Sequence, residues 1–208
     1  MSRLRIALAK GRLFEPSVAR FRLAGVELKD DGSRKLLISS SDASIEFLIV
    51  KPGDVPVYVE SGAADLGITG TDVLRESGAD VLEPLELQFG FCRLVVAVPV
   101  GASYPILPGG GTARVATKYP RLAQAFFASA GRPVDIIEVG GSVEVAPLLN
   151  LSHWIVDLVD TGNTLRANGL VMQETIMHCG AVLVANRASQ KLKLDAYLDL
   201  MRRLEQSD

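Results

Sequence analysis

Short apolar runs alternate with amphipathic stretches along this chain, the pattern of an α/β protein. Leu4–Ala9 reads as a strand, and Leu13–Leu23 then has helical spacing and stops at Gly25. Leu36–Ser40 and Ile45–Val50 are the next strands, with Ser41-Asp42-Ala43 between them as a hairpin turn. Pro52 and Gly53 break the chain before a helix over Asp54–Ser61. Asp65–Thr69 is a short strand, Asp72–Ser77 a helix, and Val81–Leu87 and Arg93–Val100 two further strands.

From Gly101 to Thr112 the texture becomes Gly- and Pro-rich, with Gly109-Gly110-Gly111 at its tip. No helix follows that triplet directly, so it reads as a solvated loop rather than a nucleotide-binding turn. A second α/β block begins beyond it: strand Arg114–Thr117, helix Arg121–Ala130, strand Val134–Val139, helix Val143–Leu149 and strand Trp154–Val159. Val171–Cys179 and Ala181–Asn186 read as late strands, and Leu192–Leu204 as a closing amphipathic helix. Two blocks joined by long strands predict two lobes with a cleft between them. Residues 1–92 with 180–208 would form the first lobe and 93–179 the second, the last strand and helix returning to the first.

The totals narrow the class. A chain of 208 residues can bury a full core in one large domain or two small ones. No apolar run approaches a bilayer-spanning length, and the N-terminus lacks a signal-peptide pattern, so a cytoplasmic protein without membrane contact is expected. A formal net charge of −2 and the absence of a basic block predict no nucleic-acid partner. Cys92 and Cys179 read as small core residues, and no Cys/His cluster has metal-ligand spacing. His153 and His178 are the two histidines, each read as structural or surface rather than as a general base.

Candidate chemistry concentrates in Glu144–Leu170. The apolar run Trp154–Val159 carries an embedded Asp157 and breaks into Asp160-Thr161-Gly162-Asn163-Thr164. That order reads as a buried strand delivering a hydroxyl-rich loop to the start of a helix. Backbone N–H groups, a Gly that permits close approach and Thr hydroxyls suit a phosphate. A plain capping turn is the bland alternative. Acidic residues beside the loop suit a sugar's hydroxyls, and the two together suggest a phosphoribosyl site. A carboxylate inside W-I-V-D-L-V is costly to bury unless paired, which marks Asp157. Glu144 suits the start of a helix equally well. Lys10, Gly11 and Arg12 follow the first strand at its carboxyl end, where open α/β sheets place ligands, and two cations there suit a triphosphate or pyrophosphate. Asp65–Asp72 forms a Gly-rich turn that supports the fold more than the chemistry, and Arg93 opens a strand without an assigned role.

Glu144, Ser152, Ile155, Asp157, Leu158, Thr161, Gly162, Thr164 and Leu165 stand at the spacing that marks ATP phosphoribosyltransferases, the first enzymes of histidine biosynthesis. Leu4–Leu13, Asp65–Leu74 and Phe89–Pro99 resemble that family's other blocks in the same order, so the resemblance covers nearly the whole chain. Asn150 departs from it where Gly is usual, and His153 where Asp is common. The resemblance implies a bilobed fold like type II periplasmic binding proteins. It also implies attack of adenine N1 on C1 of phosphoribosyl pyrophosphate, giving N1-(5-phosphoribosyl)-ATP and pyrophosphate, with no protein nucleophile. Glu144 and Asp157 would contact ribose hydroxyls, and Asp160, Thr161, Gly162, Asn163 and Thr164 the donor's phosphate. Lys10, Gly11, Arg12 and Lys51 would hold ATP or pyrophosphate; Lys51 stands where the family often has Arg. Mg²⁺ is expected with the donor, held mostly by phosphate oxygens. The chain's end at Asp208 is that of the short form, which works with a regulatory subunit related to histidyl-tRNA synthetase, and a homodimer is the expected building block. The rival readings are a non-catalytic bilobed small-molecule binder and a phosphoribosyltransferase for another acceptor.

Overall fold

A computed structural model describes residues 3–29 and 34–206. It divides into two compact units, Met1–Gly90 with Gly180–Asp208, and Phe91–Cys179.

In the first unit the strand β1 (Leu4–Ala9) leads to the helix α1 (Phe14–Leu23). The hairpin strands β2 (Leu37–Ser39) and β3 (Ile45–Val50) follow, then α2 (Asp54–Glu60), β4 (Leu66–Gly70) and α3 (Thr71–Ser77). Strands β3, β1 and β4 are parallel neighbours, so their carboxyl ends share one edge. Alternation along β1 sorts the core. Leu4, Ile6 and Leu8 join Phe21 and Phe47 in one apolar cluster, whereas Ala7 and Ala9 join Val55 and Val59 of α2 in another. Small side chains on that second face let α2 come close. A Cβ on Gly67 would lie 2.7 Å from Val55 Cγ1 and 2.9 Å from Val59 Cγ2, so this Gly serves helix–strand packing.

Two expected strands are one. β5 runs unbroken over Leu82–Pro99, through Gly90 at φ 71°. A Cβ there would collide with Leu13 Cδ2, and the Gly90 carbonyl accepts from Arg12 at 3.3 Å.

The second unit adds β6 (Ala113–Thr117), α4 (Pro120–Ser129), β7 (Val134–Glu138), β8 (Trp154–Val159) and α5 (Asn163–Ala167). β7, β6 and β8 are parallel, and β5 pairs antiparallel with β8, placing Arg93 opposite Val159 and Val95 opposite Asp157. Trp154, Phe127, Leu94 and Val96 pack on one face, and Ile155, Val159, Leu165 and Leu170 on the other. The buried thiols of Cys92 and Cys179 lie in the first of these clusters.

The helix expected over Val143–Leu149 is only a 3₁₀ turn, Val143–Val145. Pro147 has no N–H to continue it, and the segment ends at Asn150 in the left-handed region, φ 56°. Asn is the residue after Gly that best tolerates that conformation, which accounts for the departure from the family's Gly. Arg114 ties the turn down, donating from Nε to Leu151 O at 2.8 Å and from a terminal nitrogen to Asn150 O at 3.0 Å. His153 Nδ1 accepts from the Arg114 backbone N–H at 2.9 Å. Burial, and then the Arg114 charge, push its imidazole below the usual range.

The late strands are likewise one, β9 (Leu170–Ala185), whose last residues pair antiparallel with β4. After it come α6 (Arg187–Leu192) and α7 (Leu194–Glu205), where a single helix is expected. Asn186 explains the extra helix. Its Oδ1 caps α6 by accepting from Ala188 and Ser189 N–H, while its Nδ2 donates to Val59 O at 2.8 Å and Glu60 O at 3.0 Å at the end of α2. Leu200 and Leu204 of α7 return to the first unit's core beside Phe21.

Candidate active-site residues of the two units

In the second unit three parallel strands end at one edge, and each ends on a polar group. β7 leads through Gly140-Gly141-Ser142 to Glu144, β6 leads to Lys118, and β8 leads to Asp160. The Val139 N–H donates to Thr117 O at 3.0 Å, which prolongs the β6–β7 register to that edge. Glu144 is half-buried within the 3₁₀ turn, and Ser142 before it has φ 48°. Asp157 is half-buried on β8 and its Oδ1 accepts from the Leu158 N–H at 2.8 Å. Burial pushes its carboxyl above the usual range; the Leu158 N–H and the Lys118 charge pull it back, and Glu144 adds to the rise. Lys118, which the sequence reading passed over, therefore belongs to this cluster. Its signal was its place directly after a predicted strand, at the carboxyl end where ligands collect.

Asp160, Thr161, Asn163 and Thr164 are exposed in the loop between β8 and α5. Gly162 turns the chain at φ 78°, a conformation that Gly adopts without strain. Arg166 folds back over it, donating to Asn163 Oδ1, and its N–H donates to Gly162 O at 3.1 Å. A pocket of about 310 Å³ opens beside the loop, lined by Arg93, Val159, Thr161, Gly162, Arg166 and Met172 among others. Arg93 and Arg166 thus stand beside the expected residues as cations that sequence reasoning left unassigned. Arg166 was visible as a cation in the first turn of the helix expected directly after the loop.

Lys10, Gly11, Arg12 and Lys51 belong to the first unit, apart in the chain from the set just described. Lys10 N donates to Val50 O at 2.8 Å, so Lys10 and Lys51 follow paired residues at the carboxyl edge shared by β1 and β3. Gly11 turns at φ 90°, and Lys10, Arg12 and Lys51 are exposed. Asp65 and Thr69 of the Gly-rich turn are buried. His178 is exposed on β9.

The fold is that of solved sulfonate-binding proteins. SsuA of Xanthomonas axonopodis pv. citri superposes with a TM-score of 0.58 at 13% identity, over 100% of this chain and 73% of that one. SsuA of Escherichia coli superposes with a TM-score of 0.60 at 13% identity, over 100% of this chain and 72% of that one. These likenesses and the strand-end polar groups define the class: an α/β protein of the type II periplasmic-binding-protein fold that presents cations and hydroxyls at its strand ends. The family model HisG, ATP phosphoribosyltransferase, matches residues 51–206. The chain belongs to the ATP phosphoribosyltransferase family, glycosyltransferases that catalyse the first step of histidine biosynthesis. An ATP phosphoribosyltransferase of Caldanaerobacter subterraneus subsp. tengcongensis is 47% identical over 97% of this chain and 95% of its own. One of Marinobacter nauticus is 50% identical over 90% of this chain and 87% of its own. The solved ATP phosphoribosyl transferase (HisG:HisZ) complex from Thermotoga maritima contains a chain 33% identical, with a TM-score of 0.87 over 98% of both chains.

Proposed function

We propose that this chain condenses ATP with phosphoribosyl pyrophosphate with a division of labour between its units. The second unit holds the donor: Asp160–Thr164 takes the 5′-phosphate, and Asp157 and Glu144 accept hydrogen bonds from the ribose hydroxyls. The observation that carries this reading is the shared strand edge, which brings Glu144, Lys118 and the loop to one side of one sheet. In the first unit, Lys10, Gly11, Arg12 and Lys51 hold the polyphosphate of ATP or the departing pyrophosphate.

Adenine N1 supplies the electron pair that forms the new bond to C1, while the C1–oxygen bond to pyrophosphate breaks and its bonding pair leaves on the pyrophosphate oxygen. The protein therefore needs no nucleophile. Its work is to hold two polyanions in line and to stabilise charge on the leaving group. Mg²⁺ would enter with the donor and take its ligands mainly from phosphate oxygens.

A regulatory subunit related to histidyl-tRNA synthetase, with a homodimer of this chain as the building block, completes the proposal; the HisG:HisZ complex of the Thermotoga relative supports the hetero-oligomer. Among the described residues no helix is long and apolar enough to cross a membrane, and a cytoplasmic site of action accords with biosynthesis.

Calorimetric titration with Mg²⁺-phosphoribosyl pyrophosphate tests the loop. Saturable binding that ribose 5-phosphate competes away, and that Thr161→Ala with Thr164→Ala weakens at least about tenfold in a folded protein, is the expected result. Unchanged affinity in the folded double variant would remove the assignment.

A further inference from the structure

We infer that Arg166 is a positioning residue for phosphoribosyl pyrophosphate, acting through Asn163; the inference rests on the reading of Asp160–Thr164 as the donor's phosphate loop. Three contacts carry it. A terminal nitrogen of Arg166 donates to Asn163 Oδ1. Another, Nη1, lies 3.3 Å from where a Cβ on Gly162 would stand, so the guanidinium lies against the loop's turn. The Arg166 N–H donates to Gly162 O at 3.1 Å, tying the same residue to the turn through its backbone.

An Asn side chain has one end that donates and one that accepts. A phosphate oxygen is attracted by the amide NH₂ and repelled by the amide carbonyl. By occupying Oδ1, the guanidinium fixes which end Asn163 turns to a ligand: the donor. Its charge also adds to the positive potential at the loop. Without Arg166 the amide is free to rotate, and its carbonyl competes for the place of the NH₂. Arg serves here because its planar fork can meet Oδ1 while a second nitrogen lies against the turn, a geometry that a Lys ammonium does not reproduce.

The inference predicts an unusual coupling. Arg166→Ala weakens binding of Mg²⁺-phosphoribosyl pyrophosphate by about tenfold and leaves ATP affinity unchanged, whereas Asn163→Ala alone weakens it about threefold. Removing Asn163 in the Arg166→Ala background takes away the misplaced carbonyl, so the double variant binds no more weakly than Arg166→Ala and recovers toward Asn163→Ala. Arg166→Lys falls between wild type and Arg166→Ala. In turnover, KM for the donor rises with these variants while kcat changes little. Independent losses that multiply to about thirtyfold in the double variant would show Arg166 meeting the ligand by itself and overturn the proposal. So would an Arg166→Ala protein with unchanged donor affinity. Thr161→Ala with Thr164→Ala, measured alongside, separates the two readings. If that variant is weakened and Arg166→Ala is not, the positioning role alone fails; if neither is weakened, the loop assignment fails and takes the positioning role with it. Thermal melts accompany each variant, and if Arg166→Ala does not fold, the cycle of Arg166→Lys with Asn163→Ala decides.

Discussion

Lys193 Nζ lies 2.7 Å from Asp65 Oδ2, and the same oxygen accepts from the Arg5 N–H at 2.8 Å. Asp65 opens the family block D-L-G-I-T-G, yet it ties the strand β1, the start of β4 and the start of α7 together rather than facing a ligand. Asp65→Ala is expected to cost about 1–3 kcal/mol, because it leaves the Arg5 N–H without its acceptor and removes the counter-charge of a half-buried ammonium that keeps only the Arg3 carbonyl, at 2.7 Å. Chemical denaturation checks the loss. Donor affinity of the folded fraction should stay at the wild-type value, and a fall there would return Asp65 to the site.

Asp157 carries a penalty that function explains. Its folded-state pKa lies above the unfolded one, chiefly through burial, so the cost of its charge is absent below the unfolded value and complete above the folded one. Asp157→Asn should therefore raise the thermal midpoint at neutral pH, by about 1–3 °C, with the gain fading as the solution is acidified through the carboxylate range. The same variant should bind the donor about tenfold more weakly, having lost a charged acceptor for ribose hydroxyls. Lys118→Met removes a cation that pulls the carboxyl down, so the acid limb of donor binding should move to higher pH. Midpoints and calorimetric affinities across a pH series measure both effects.

Lys10 and Lys51 share one strand edge through the Lys10 N–H to Val50 O bond. Replacing both by Ala should weaken pyrophosphate binding by about ten- to a hundredfold, as two charged contacts are removed. Ribose 5-phosphate, assigned to the other unit, should bind as before. Equal losses for the two ligands would contradict the division of labour.

Glu174, Tyr104 and Arg132 form a network within the second unit. Arg132 donates to Glu174 Oε1 at 2.6 Å and to the Tyr104 hydroxyl at 2.7 Å, and that hydroxyl donates to Glu174 at 2.5 Å. Burial works to raise the Glu174 carboxyl, but the hydrogen bonds from Arg132 and Tyr104 outweigh it and hold it below the usual range. The stabilisation is thus present above the unfolded pKa and is lost as pH falls through the folded one. Glu174→Gln should flatten the acid limb of the thermal-midpoint curve while leaving donor affinity at neutral pH unchanged.

By itself the chain determined its local elements and much of its candidate chemistry. The alternation in Leu4–Ala9 and the run Trp154–Val159 specify strands because one or both faces must be buried, whatever the partner. The hydroxyls and Gly of Asp160–Thr164 announce a loop suited to phosphate because those groups act through their own backbone. Tertiary structure decided whatever depends on a distant partner. The stretch between Leu87 and Arg93 reads as a gap between two strands, yet β5 passes through Gly90, where Leu13 packs in the place of a Cβ and Arg12 takes the carbonyl. Asn186 reads as a strand end, yet it starts a helix while holding the end of α2, a bond that spans 127 residues of sequence. Asp65 is structural because Lys193 and the Arg5 N–H meet it, and Asp157 owes its raised pKa first to burial in the folded unit and then to the charge of Glu144. Short-range preferences are written in neighbouring residues; burial and charge depend on which strands meet, and that is settled only when the chain has folded.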